Sequence, residues 1–516
     1  MTQNFKPDKT DINSLIISFI IINFSFLYHT LNFMWGNHDV KFIKEELLLS
    51  SGLFEGRFTQ FIPYRLLVNG QILPILNNLL GLGFLTLALW LLAKYWNITR
   101  NTVFYTIFIT FAATQPYTLS WLYFTFITIS CLLWVLLTIA ALQISSYIPT
   151  SKHKIALSAC AIILFYLPLG GYPPIINLFF IGLGGKIILS YIFEEKKLID
   201  LVKHYHYTLL NIILAAILFK ISLKFVMPDN VYNLETTALD ELPQKFLTTL
   251  KISFSQFLTT LPFMEKGYKT ILTAMSLSAI IFGILSTRKI SRKIITFLMC
   301  CGIIWLTSLT TFLVVPHTEY VSRIDFYGFA FLYTFFLAVL LNGNIKLSQS
   351  LALLFTLILI PFNILNDYRA LKVWNLGFTS EIKILDSITE RIENNLTFNP
   401  KHQYRFYQIG DISLRPSYYN GTFAQDDVFL HSLPYLAMWQ GKNLIEFYSP
   451  FTYIDQQTTI LPQDITPEMY NFFQNDARPW PHKNSIYMNQ NIIIIILNQF
   501  GLTEFKQQLK SLKPKI

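Results

Sequence analysis

The sequence predicts an all-α polytopic membrane bundle of about eleven transmembrane helices, followed by a small extracytoplasmic α+β domain. Three observations predict it. Of 516 residues, 53% are hydrophobic and only 14% charged, whereas soluble domains carry roughly 25% charge. The apolar residues fall in long uninterrupted runs. The lysines and arginines fall between those runs, and in alternate connections.

The first run, Ser14 to Trp35, carries no formal charge. At about 1.5 Å per residue it is long enough to cross a hydrocarbon layer of about 30 Å. No small-residue cleavage pattern follows it, so it reads as an uncleaved signal anchor. Further spans are expected near 73–93, 102–114, 118–142, 155–169, 174–193, 207–226, 270–286, 294–315, 325–342 and 348–365. The third ends at Gln115-Pro116-Tyr117, and Gly170-Gly171-Tyr172-Pro173-Pro174 separates the fifth from the sixth. Either pair also fits a re-entrant hairpin. Gly182, Gly184 and Gly185 fit close helix packing.

Charge sets the orientation. Lys94 and Arg100, Lys152 and Lys154, Lys196, Lys197 and Lys203, Arg288 to Lys293, and Lys346 occupy one set of short connections. Short connections on the other side hold almost none, Arg323 excepted. The basic set is expected in the cytoplasm, and the N-terminus with Lys6 and Lys9 joins it. An odd number of spans then places the C-terminus outside. Residues 1–365 form the membrane domain, with outside loops 36–72 and 227–269, and 366–516 form the extracytoplasmic domain. Within the latter, 378–394 reads as an amphipathic helix with Ile382, Ile384, Leu385, Ile388 and Ile392 on one side. Residues 404–409, 443–448 and 491–497 read as strands.

Several functions are disfavoured. The formal charge of +10 is explained by membrane topology, so nucleic acid is not an expected partner. Cys131, Cys160, Cys300 and Cys301 all lie in expected spans, which argues against a disulfide framework or a thiolate metal site. No Asp-x-Asp pattern appears outside, which argues mildly against a divalent ion without deciding metal dependence, and no cofactor is expected. The cytoplasmic connections are short and carry no Gly-rich phosphate motif, which leaves little basis for nucleotide chemistry. Chemistry is expected on the outer face.

There the first loop holds Asp39 at the start of a pattern, Val40, Ile43 and Leu47 against Lys41, Lys44 and Glu45, that suits an interfacial helix. Glu55-Gly56-Arg57-Phe58 and Pro63-Tyr64-Arg65 follow. A carboxylate beside arginines suits transfer from a polyprenyl-phosphate sugar. The carboxylate removes the acceptor hydroxyl's proton, and the arginines stabilise the departing phosphate through their planar forks. That leaving group needs no protonation, so one acid suffices where a glycosidase needs two. Plainer roles are open for the same residues: Asp39 as a helix cap, Arg57 and Arg65 as headgroup anchors. In a second outside connection His317 and Arg323 are candidates for phosphate and Glu319 for sugar hydroxyls, although an ordinary solvated loop is slightly favoured. Lys220 and Lys224 fit snorkelling.

The arrangement resembles the serotype-converting glucosyltransferases that modify O-antigen, membrane enzymes of the GT-C class. The resemblance is carried by Asn37-His38-Asp39 after the first span, Glu55-Gly56-Arg57-Phe58, the Gln115-Pro116-Tyr117 break, and Pro479-Trp480-Pro481 with Ser485-Ile486-Tyr487 and Asn491 to Leu497. It implies a polyprenyl-phosphate glucose donor, a periplasmic glycan acceptor such as lipopolysaccharide O-antigen, and the bacterial inner membrane as location. It points to Asp39 as the catalytic acid group. Asp39 lacks the acidic neighbour common in GT-C enzymes, which keeps Glu45, Glu46 and Glu55 open for that role. The site expected is thus Asp39 and Glu55 for catalysis, Arg57, Arg65, His317 and Arg323 for the donor phosphate, and Glu46, Tyr172 and Glu319 for the acceptor or sugar. The alternative is a lipid-linked sugar flippase or small-molecule transporter, for which Lys186 is the main intramembrane charge.

Overall fold

A computed structural model describes residues 7–32, 34, 39, 48–122, 124–226, 242–258, 266–314, 322–410, 453–457 and 464–511. The chain divides into two compact units. One comprises 1–33 and 47–369, the other 34–46 and 370–516.

The first unit is helical. Its helices are α1 Lys9–Ser25, α2 Leu27–Leu31, α3 Ile62–Val68, α4 Pro74–Tyr95, α5 Thr102–Ala113, α6 Leu119–Leu122, α7 Thr125–Tyr147, α8 Lys154–Gly171, α9 Ile176–Phe193, α10 Leu198–Val226, α11 Leu242–Leu258, α12 Lys266–Leu285, α13 Ile290–Val314, α14 Ser322–Leu341 and the part of α15 Lys346–Glu393 up to Arg369, the rest of which belongs to the second unit. Among the described residues, eight helices are long and apolar enough to cross a membrane, and Thr102–Ala113 and Gly328–Leu341 are shorter apolar helices. The run over 14–35 is not one straight helix: α1 stops at Ser25, and Phe26 separates it from α2. The outer faces keep Ile155, Ile163, Ile217, Leu285 and Leu357 exposed. Such large apolar side chains suit a lipid surround.

Local chemistry sets the helix ends. Asp8 caps α1 by accepting from the Asp11 amide at 2.9 Å, while the Asp8 amide donates back to the Asp11 carboxylate at 3.1 Å. Asn101 caps α5, accepting from the Val103 amide at 2.8 Å. Pro74 opens α4, where a missing N–H costs nothing. Pro116 disfavours helical backbone at Gln115, so α5 gives way to a short 3₁₀ turn, Pro116–Thr118. Pro173 and Pro174 do the same between α8 and α9.

The connections sort to two ends of this unit. Lys94 and Arg100 pair with Asp11, Lys94 at 2.9 Å. Asn97 donates to Glu194 at 3.2 Å, the Thr99 amide to Asn342 at 3.0 Å, and Arg292 to the Glu195 carbonyl at 2.9 Å. The basic connections and the start of α1 therefore share one end. The breaks at 115–122 and 170–175 close the helices' other ends.

In the second unit, strands β1 Tyr404–Ile409, β2 Tyr453–Gln457, β3 Ile486–Met488 and β4 Ile492–Ile496 form a sheet of order β2-β1-β4-β3. β1 runs parallel to both neighbours, and β3 is antiparallel to β4. β4 is buried on both faces, which an all-isoleucine strand suits. Ile492, Ile494 and Ile496 pack with Met469, Phe473, Leu502 and Phe505. The expected strand 443–448 lies outside the described residues.

The expected helix 378–394 is not a separate element. α15 runs unbroken from Lys346 to Glu393, through Pro361 and past the expected domain start at Asn366. Leu385, Ile388 and Ile392 are buried, as the periodicity requires. Arg391 lies 4.3 Å above the Trp480 ring and donates to the Pro481 and His482 carbonyls. That anchors the Pro479-Trp480-Pro481 segment. Asp464, buried, pairs with Arg405 and accepts from Tyr407. The hydrogen bond and charge of Asp464 raise the Arg405 guanidinium above its ordinary value.

Candidate functional site

Arg57 is positioned by a turn built on two glycines, Gly52 and Gly56. The 3₁₀ helix Leu49–Glu55 ends at Gly56, whose φ of 68° is left-handed. The Arg57 amide then closes the turn on the Gly52 carbonyl at 2.9 Å. A Cβ on Gly52 would lie 2.4 Å from the Arg57 carbonyl oxygen.

The next residues seat this turn on the α8–α9 break. The Thr59 amide donates to the Gly170 carbonyl at 3.0 Å, and its hydroxyl to the Leu167 carbonyl at 2.6 Å. A Cβ on Gly170 would come within 2.6 Å of the Phe58 ring, and one on Gly171 within 2.1 Å of Trp134 Nε1. The close fit places the Arg57 guanidinium 5.5 Å from the Tyr172 ring centre. Tyr172 also packs on Trp121 at 5.8 Å. Two residues expected in different roles, one for phosphate and one for sugar, therefore meet.

The remaining expected residues are placed as follows. Arg65 is half-buried on α3 and reaches the Asn69 carbonyl at 3.4 Å. Asp39 is fully buried, lies in the second unit and is not without a partner. Glu55 closes the 3₁₀ helix and Arg323 lies in the first turn of α14, but both side chains lie outside the described residues. Glu46, His317 and Glu319 lie outside them entirely. Lys186 is buried beneath Tyr95, 5.8 Å from its ring centre.

A second polar cluster escaped sequence reasoning. Lys269, at the start of α12, is 2% exposed. Its ammonium donates to the Tyr333 hydroxyl at 2.7 Å, the Tyr117 hydroxyl at 3.0 Å and the Gln256 carbonyl at 3.1 Å. Tyr117 stacks on Tyr333 with centroids 5.9 Å apart, and Phe257 stacks on the same ring at 5.6 Å. The helix α11, within the segment expected as an outside loop, supplies the Gln256 carbonyl from its last turn. Tyr268 donates to Gln115 at 3.0 Å.

On α15, Asn363, Asn366 and Asp367 are fully buried. Asn363 donates to Thr114 at 3.3 Å. Neither carboxylate oxygen of Asp367, nor either amide atom of Asn366, has a hydrogen-bond partner among the described residues. Thr114 adjoins Gln115, so Asn363 and Tyr268 reach the same helix break from α15 and α12. The missed signal was spacing. Asn363, Asn366 and Asp367 stand at i, i+3 and i+4 and share one face at the end of an apolar run.

A helical unit with several membrane-length helices and polar clusters at the ends of its helix breaks defines a polytopic membrane protein with an ordered polar site. The class is narrowed by comparison. Residues 47–342, more than half of the chain, match the family described as Glucosyl transferase GtrII, and the chain belongs to that family. It is a membrane glycosyltransferase, related to the serotype-converting O-antigen glucosyltransferases. The matched stretch contains Arg57, Arg65, Tyr172, Tyr117, Lys269 and Tyr333; Asp39 and Asp367 flank it. No curated relative and no solved structure matches the chain.

Proposed function

We propose that this glycosyltransferase moves a hexosyl group, glucose by its family, from a polyprenyl-phosphate donor to an extracytoplasmic glycan such as O-antigen. The enzyme sits in the bacterial inner membrane with about eleven spans, its N-terminus in the cytoplasm and residues 366–516 in the periplasm. Charge distribution supports this orientation. The basic connections and the start of α1 share one end of the helical unit, and that end faces the cytoplasm.

Asp39 takes the proton of the acceptor hydroxyl as its oxygen attacks the donor's anomeric carbon. The new glycosidic bond forms as the bond from that carbon to the phosphate oxygen breaks. The electron pair leaves on polyprenyl phosphate, which ends as a phosphate monoester. Arg57 and Arg65, with His317 and Arg323, hold that phosphate and stabilise the charge it gains. Tyr172, with Glu46 and Glu319, borders the sugar or acceptor. Glu55 is the alternative base.

One observation carries the assignment of the site: the Arg57 guanidinium stacked over Tyr172, on a turn and a helix break fitted together without room for a Cβ. A cation on an aromatic face beside a second aromatic suits a phosphate joined to a sugar ring. The test is transfer of glucose from polyprenyl-phosphate glucose to lipopolysaccharide by purified protein. Absence of product with every polyprenyl-phosphate hexose tried would remove the reading.

A further inference from the structure

The buried ionisable groups of Lys269 and Asp367 are not explained by the architecture around them. Burying an ammonium is costly unless an anion accompanies it. The partners of Lys269 are two phenol hydroxyls and a backbone carbonyl, all neutral. Among the described residues it makes no ion pair. Two stacked tyrosines and the end of α11 hold the ammonium in one place, which is what a fixed anion site needs.

Asp367 presents the complementary case. A buried carboxylate without donors is rare in folded proteins and points to a donor supplied from elsewhere. Asn366 beside it offers an amide with neither N–H nor carbonyl engaged among the described residues. Together they present acceptors and donors in the pattern that sugar hydroxyls satisfy.

The two groups are joined by one short path. Tyr268 precedes Lys269 and donates to Gln115, whose chain neighbour Thr114 accepts from Asn363, one helical turn before Asp367 on α15. Gln115 and Tyr117 begin the same break that carries Trp121, which packs on Tyr172 below Arg57. Arg57 thus approaches this segment from its Trp121 side and Lys269 from its Tyr117 side.

We propose that Lys269 is a further phosphate-binding cation of the donor site, and that Asn366 and Asp367 hold hydroxyls of the sugar attached to that phosphate. The ligand is a glycosyl phosphate ester, and the inference rests on the donor class proposed above. Lys269 and Asp367 bind and orient the donor head, and neither takes part in bond making.

The test measures binding of two short-chain lipids, polyprenyl phosphate and polyprenyl-phosphate glucose, to full-length protein in nanodiscs, alongside transfer activity. K269M is expected to lose at least about tenfold in affinity for both lipids, because a charge-assisted contact to phosphate is gone. D367N is expected to lose about tenfold for the glucose-bearing lipid only. K269R, which keeps the charge, is expected to bind both within about threefold of the parent. If the parent binds and transfers while K269M and D367N bind as the parent does, the inference falls and the donor class stands. If K269R loses both lipids as K269M does, Lys269 serves packing, and the inference is again overturned. If the parent binds neither lipid and forms no product, the donor class itself is wrong.

Discussion

The Arg57 guanidinium lies 5.5 Å from the centre of the Tyr172 ring, although 115 positions of sequence separate them. The contact is made possible by Gly170, whose missing side chain lets Phe58 and Thr59 lie against the end of α8. It carries the first prediction. Arg57→Ala should lower kcat/KM for polyprenyl-phosphate glucose by about 10²-fold, and Arg57→Lys less. Tyr172→Phe keeps the aromatic face and should stay within about threefold, whereas Tyr172→Ala should fall by about tenfold. Steady-state transfer assays on purified variants decide this.

Asp39→Asn should lower kcat by about 10³-fold with little change in donor binding, the signature of a lost general base. Glu55→Gln should stay near the parent. If the two results exchange, the base is Glu55. Single-turnover rates measured beside donor affinity separate these outcomes.

The fit at Gly171 is a stability prediction. A methyl group there would lie 2.1 Å from Trp134 Nε1. Gly171→Ala should destabilise the helical unit by about 1–3 kcal/mol, the range for overpacked cores. Thermal unfolding in detergent measures it. Gly267→Ala, where nothing lies within 4 Å of the added carbon, is the control and should shift Tm little.

Orientation can be read by chemistry. A cysteine at Lys289 should resist a membrane-impermeant maleimide in intact spheroplasts and react after permeabilisation. A cysteine at Lys483 should react in both. The background is a variant lacking Cys131, Cys160, Cys300 and Cys301. Reversal of the two labels would invert the topology and place the second unit in the cytoplasm.

Asp11 gives a pH prediction. Burial alone would raise its carboxyl, but the hydrogen bonds from Lys94 and Trp90 outweigh it, and the value lies below the ordinary 3.8. A carboxylate depressed in the folded state contributes stability above its unfolded value and loses it as pH falls through the folded one. The Tm difference between the parent and Asp11→Asn should therefore be constant from pH 7 down to about 4 and shrink only below it. Melting curves across that range test the sign.

Sequence alone determined most of the helices, because apolar length and charge spacing are local properties. The starts of α4, α5 and α8, the breaks at Gln115 and Tyr172, and strands β1 and β4 all follow from residues within a few positions of each other. What the sequence missed was continuity and convergence. Nothing local shows that α15 passes through Pro361 and Asn366 without a stop. Lys269 read as the last residue of a loop and Asp367 as the second residue of a tail. Lys269 is buried because α11, α14 and the 115–118 turn close around it, and the α15 face that carries Asp367 is tied through Asn363 to Thr114 beside that turn. Tertiary structure alone decided that Arg57 meets Tyr172, because that contact depends on steric clearance at glycines far away in the chain. Clearance between distant segments leaves no mark in either segment read by itself.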